Sequence, residues 1–105
     1  MAFVRWEEMG GRPGEVQEAL RRAVAAYTRD TAGFKIGRTN DPHRRAAAYG
    51  DYDEFVVLYQ TRTVLHADAV ETDLVDFFLH ADNRVGGGGG PFGEGPHYVY
   101  VAIER

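Results

Sequence analysis

The run FKIGRTNDPHRRAAAY, residues 34–49, leaves its part of the chain little conformational choice. Phe34 and Ile36 alternate with Lys35 and Gly37, the period of a strand with one apolar face. Asp41-Pro42 then starts a helix. The Asp41 carboxylate accepts from free N–H groups of the first turn, and Pro42 has no N–H to leave unpaired at the first helical position. Gly50 stops the helix. Arg45 and Tyr49, four residues apart, share one helix face. A guanidinium there can grip a phosphate with two parallel hydrogen bonds, and a phenol beside it can donate or accept one proton.

The remaining pattern fits around this unit. Residues 1–13 lack a clear period and run into Gly10-Gly11-Arg12-Pro13-Gly14, so they read as an N-terminal extension ending in a loop. Val16, Leu20, Ala23, Val24 and Tyr27 form an apolar stripe that predicts a helix from Glu15 to about Thr28. EFVVLYQT, Glu54 to Thr61, reads as a buried strand, and Val64 to His80 as a long helix. Val85 to Pro96 holds seven glycines and reads as a mobile loop; no Gly-Lys-Ser/Thr follows, so it is not a P-loop. HYVYVAIER closes the chain as a strand, with Val99, Val101 and Ile103 on one face and Tyr98 and Tyr100 on the other. The expected architecture is α/β: one domain spanning residues 1–105, with a small, about three-stranded, mostly antiparallel sheet flanked by helices.

Composition narrows the function classes. No segment approaches the roughly 20-residue apolar run that crosses a bilayer, and MAFVRWEEMGG does not read as a signal peptide, so no membrane partner is expected. The absence of cysteine excludes disulfides, thiolate metal sites and cysteine nucleophiles, and suits the reducing cytoplasm. A net charge of −4 argues against tight nonspecific nucleic-acid binding, yet Lys35, Arg38, Arg44 and Arg45 are clustered and form a local basic patch.

One carboxylate stands out. Ala67, Leu74 and Phe78 share a helix face with Glu71, and an acid on an apolar stripe costs free energy unless it is paired or holds a metal. It is either a boundary residue whose head reaches water or a ligand for a hard divalent cation, which needs only one or two carboxylates when phosphate and water complete its shell.

Together these residues resemble the GIY-YIG nuclease superfamily. Lys35-Ile36-Gly37 stands where that family has its second triplet. Arg45 lies eight residues after Gly37, Tyr49 four after Arg45, and Glu71 on the next long helix. The KIGRT form with its Asn-Asp-Pro turn is similar to the phage-related branch, in which Lys commonly replaces the triplet Tyr. The likeness runs from Phe34 to about Leu79. Two positions depart from it: Lys35 replaces a phenol, and the first strand, with its own Tyr, does not precede Phe34. A helix stands there instead, with Tyr27 on its apolar stripe. The closing strand HYVYVAI has the composition of the missing one. If it pairs beside Phe34–Thr39, Tyr98 or Tyr100 lies on the face of Lys35, and the family's first strand comes last.

The resemblance implies an endonuclease hydrolysing phosphodiester bonds with one divalent metal, Mg²⁺ or Mn²⁺, held by Glu71. Arg45 would bind phosphoryl oxygens, and Lys35, Tyr98 or Tyr100 would take the proton from the attacking water. Tyr49 would position water or phosphate. Arg38, Arg44 and His43 would contact the nucleic acid, DNA in the first instance, and His97 would support Tyr98. The alternative is a catalytically degenerate module of the same fold that binds nucleic acid or protein, with specificity supplied by a partner or a homodimer. A third reading is a small interaction domain whose arginines bind an acidic protein. Taken singly, each residue has a plain structural role; their common register carries the functional reading.

Overall fold

The computed structural model describes residues 3–78 and 95–105. It contains four strands and three helices in the order β1 (Phe3–Met9), α1 (Pro13–Tyr27), β2 (Gly33–Thr39), α2 (Pro42–Ala48), β3 (Glu54–Thr61), α3 (Val64–Phe77) and β4 (His97–Glu104). Most of the glycine-rich segment lies outside the described residues, as do the last positions expected of the long helix.

The strands form one mixed sheet in the order β1-β3-β4-β2. β4 pairs antiparallel to both β2 and β3, and β1 pairs parallel to β3. Thus β1, β2 and β3 run one way, and β4 runs against them from between β3 and β2. The closing strand therefore occupies the centre of the domain: Val99, Tyr100, Val101, Ala102 and Ile103 have no measurable exposure.

Strand β1 corrects the expectation of an irregular N-terminal extension and raises the sheet from three strands to four. Val4 and Trp6 stand opposite Phe55 and Val57, so they share a face, with Arg5 between them opposite Val56. This short alternation is a strand signal, but the register breaks between Trp6 and Met9. Its partner is some fifty residues away, so no turn marks the pairing.

The two sheet faces are covered differently. One face packs Phe34, Ile36, Val56, Leu58, Val99, Val101 and Ile103 against Val16, Leu20 and Val24 of α1 and Ala67, Val70 and Leu74 of α3. Arg21 of α1 reaches Asp73 of α3 in a two-pronged pair at 2.6 and 3.1 Å, fastening the helices to each other. The other face carries Phe55, Val57, Tyr100 and Ala102 beneath Ala46 of α2. Because α2 is only seven residues long, it leaves part of this face accessible, and Lys35, Tyr49 and Tyr98 remain half-buried there.

The helix starts follow their local chemistry. Asp41 Oδ1 accepts from Arg44 N at 3.1 Å with Pro42 at the first helical position, as the sequence predicts. Thr63 Oγ1 accepts from His66 N at 3.2 Å at the head of α3. Among the described residues no helix is long and apolar enough to cross a membrane.

Candidate functional site

The α2 face gathers most of the residues expected to carry chemistry. The register between β2 and β4 sets Lys35 opposite Ala102, Gly37 opposite Tyr100 and Thr39 opposite Tyr98. Tyr98 and Tyr100 therefore lie on the face of Lys35, and the closing strand pairs beside Phe34–Thr39. Tyr100 is fully buried, its ring stacked on Phe55 at 4.3 Å between centroids and 23° between planes. From there it crosses Gly37. A Cβ at position 37 would sit 2.2 Å from the Tyr100 hydroxyl and 2.5 Å from Cζ, so only glycine leaves room for the phenol.

The Tyr100 hydroxyl meets two groups from α2. Tyr49 OH is 2.5 Å away, and Arg45 Nη1 donates to it at 3.3 Å. Tyr49 also packs edge-on to Tyr100 and tilted against Phe55 and Tyr52, which fixes its ring. Lys35 Nζ stands 5.4 Å from the centre of the Tyr49 ring, a distance at which a cation is drawn to the π face. Burial raises the Tyr100 pKa, and its hydrogen bond to Tyr49 raises it further, while Arg45 pulls it back only in part. Tyr100 therefore stays a neutral phenol at ordinary pH. It can pass a proton along the hydroxyl pair but is a poor base by itself.

Beside this cluster is a cleft of 280 Å³ lined by Thr39, Asn40, Asp41, Arg44, Arg45 and Ala48. Two adjacent guanidiniums face an opening large enough for a phosphate group. Asp41 brings one negative charge, but its carboxylate is already held by the Arg44 amide.

Other expected residues lie elsewhere. Strand alternation sends Arg38 and His97 to the helix-packed face, where they are 4% and 1% exposed. Arg38 is therefore not presented to a nucleic acid, and His97 stands across the sheet from Tyr98 rather than beside it. Glu71 joins them there. It is 2% exposed, on the apolar stripe of α3, with Arg38 Nε 3.6 Å from its Oε1. It is neither a boundary acid reaching water nor part of the cleft lining. Burial pushes its pKa up to about 7; Arg38 lowers it, Asp68 raises it, and Arg45 lowers it slightly. Glu71 Oε2 has no hydrogen-bond partner among the described residues.

Trp6 was not among the residues expected at the site. It lies 5.7 Å from Tyr98, edge to face, and 5.6 Å from His43 of α2, measured between ring centres. The sequence signal was its alternation with Val4 on β1. Comparison of the chain with family models, with curated proteins and with solved structures found no match.

Proposed function

We propose that the chain acts on phosphodiesters at the α2 face as a GIY-YIG-like endonuclease, with Arg45, Tyr49 and Tyr100 as its working cluster. The observation that carries this reading is the contact of Arg45 and Tyr49 with one buried phenol across Gly37, beside a cleft of phosphate size. Arg45 and Arg44 bind the non-bridging oxygens and stabilise the charge that grows on them. An attacking water forms the new P–O bond as the leaving oxygen departs. Its proton enters the Tyr49–Tyr100 hydroxyl pair and leaves to solvent, which reprotonates the leaving oxygen. Lys35 adds positive charge at the rim. The closing strand supplies through Tyr100 the phenol that the family's first strand would bring.

The resemblance also implies a divalent cation. Among the described residues no three His, Asp or Glu side chains are grouped to hold one. Glu71 does not fit that role at the α2 face: it is buried on the helix-packed face against Arg38 and does not line the cleft.

A second reading is a binding module that keeps the phosphate site and lacks the chemistry. It is favoured by the burial of Glu71 against Arg38. A cleavage assay with Mg²⁺ and Mn²⁺ on single-stranded, duplex and branched DNA and on RNA decides between the two. The nuclease reading expects products that Arg45→Ala abolishes without unfolding the chain. Binding that depends on Arg45, with no products under any condition, would leave the module.

A further inference from the structure

The added strand β1 lies outside the part of the chain that carries the family resemblance, and it brings an aromatic side chain to the working face. Trp6 is 43% exposed, although it makes ring contacts with Tyr98 and His43. Those contacts hold the indole in place while leaving much of it to solvent. Its neighbours continue toward the phosphate cleft. Tyr98 stands opposite Thr39, which lines the cleft, and is two residues from Tyr100, roughly 7 Å along an antiparallel strand. His43 precedes Arg44 and Arg45 on α2.

We propose that Trp6, steadied by His43 and Tyr98, is a stacking platform for an unpaired base of a single-stranded nucleic acid whose phosphates lie on Arg44 and Arg45. This inference rests on the phosphate site described above and adds the substrate class. A fixed aromatic plane beside a cationic cleft is the combination that holds single strands, because every base has a π face and the backbone supplies the charge. Inside a duplex, base faces are covered by their neighbours, so a flat platform selects strands, ends and loops whose bases are free. The charges nearby agree with this. Arg5 stands opposite Val56 on the helix-packed face, and Glu7 engages Tyr27 of α1, so its carboxylate is directed away from the platform.

Trp6 is the only tryptophan in the chain, so tryptophan emission reports this residue alone. Three probes serve: a short oligodeoxyadenylate, an abasic oligomer with the same number of phosphates, and a blunt duplex. Binding is followed by anisotropy of a labelled strand and by quenching of Trp6 emission, with wild type, Trp6→Ala, Trp6→Phe and Arg45→Ala. The oligodeoxyadenylate should quench Trp6 and bind on the order of 10-fold more tightly than the abasic oligomer. Trp6→Ala should erase that difference, Trp6→Phe should retain most of it, and Arg45→Ala should weaken both oligomers alike. Equal affinity of the wild type for base-bearing and abasic oligomers, with emission unchanged, overturns the platform while the Arg45 effect still upholds the phosphate site. If neither oligomer binds and Arg45→Ala changes nothing, the platform and the phosphate site fall together. Quenching in the wild type is decisive even where Trp6→Ala disturbs the edge strand.

Discussion

Replacing Gly37 by Ala tests whether the site is built on a steric vacancy. The backbone at Gly37 is ordinary strand, without the positive φ of Gly11 or Gly95, so the substitution adds only a methyl group. That methyl would stand 2.2 Å from the Tyr100 hydroxyl, 2.5 Å from Cζ and 3.0 Å from Cε2, all far inside contact distance. The ring cannot slide away freely, since Phe55 stacks on it at 4.3 Å and Tyr49 closes the edge. Relief requires a shift of the ring or of the strand, and overpacking of this kind costs about 1–3 kcal/mol. The shift also parts the Tyr100 hydroxyl from Tyr49 and Arg45, adding about 1 kcal/mol for lost hydrogen bonds. Urea denaturation should therefore show a loss of about 2–4 kcal/mol with an unchanged denaturant slope. In a cycle with Tyr100→Phe, the double variant should lose less than the sum, because the hydroxyl that clashes most has already gone. A Gly37→Ala variant within about 0.5 kcal/mol of wild type, or strictly additive losses, would refute the claim that glycine is needed to seat Tyr100.

The remaining expectations concern single interactions. Tyr100→Phe should cost about 1 kcal/mol in the same assay, because Arg45 and Tyr49 are half-buried and recover water when the hydroxyl is lost; a neutral effect would mean that the contacts contribute nothing. Thr63→Ala removes the cap that accepts from His66 N and should destabilise by about 1 kcal/mol, seen as a lower denaturation midpoint. For Glu71 the sign follows from a folded-state pKa near 7, above the ordinary 4.5. The favourable contribution of its neutral form is complete below pH 4.5 and is lost as pH rises through 7. Glu71→Gln does not titrate, so its stability relative to wild type should improve by on the order of 2–3 kcal/mol between pH 4.5 and pH 8. A difference that stays flat over that range would show the carboxylate to be ordinary.

The strand–turn–helix at residues 34–49 was legible because each signal in it is local. The apolar alternation at Phe34 and Ile36, the Asp41 cap and the Gly50 stop all act within a few residues. The two faces of β4 could also be read, since Tyr98 and Tyr100 alternate with Val99 and Val101. Its place beside β2 followed from the need for a strand there. Strand β1 was not legible, because its partner is distant and its alternation breaks after Trp6. The same alternation that placed Tyr100 also places Arg38 and His97 on the opposite face; linear closeness to the motif obscured this. Glu71 was correctly marked as an acid on an apolar stripe, but its pairing with Arg38 depends on how α3 crosses β2. The role of Gly37 as the floor beneath Tyr100 depends likewise on a cross-strand register that no local pattern encodes.

In the proposed function, Arg45 grips phosphodiesters at the α2 face together with the tyrosine pair. The most direct test of this grip is the salt dependence of oligonucleotide affinity for wild type, Arg45→Ala and Arg38→Ala, with folding checked by circular dichroism. The Arg45→Ala slope of log affinity against log salt should be shallower by about 0.7 for a single strand, one phosphate contact fewer. Folded Arg38→Ala should keep the wild-type slope, since Arg38 is buried against Glu71 on the opposite face. An unchanged slope for Arg45→Ala, or a slope lost with Arg38 instead, would place the phosphate contact elsewhere than the α2 face.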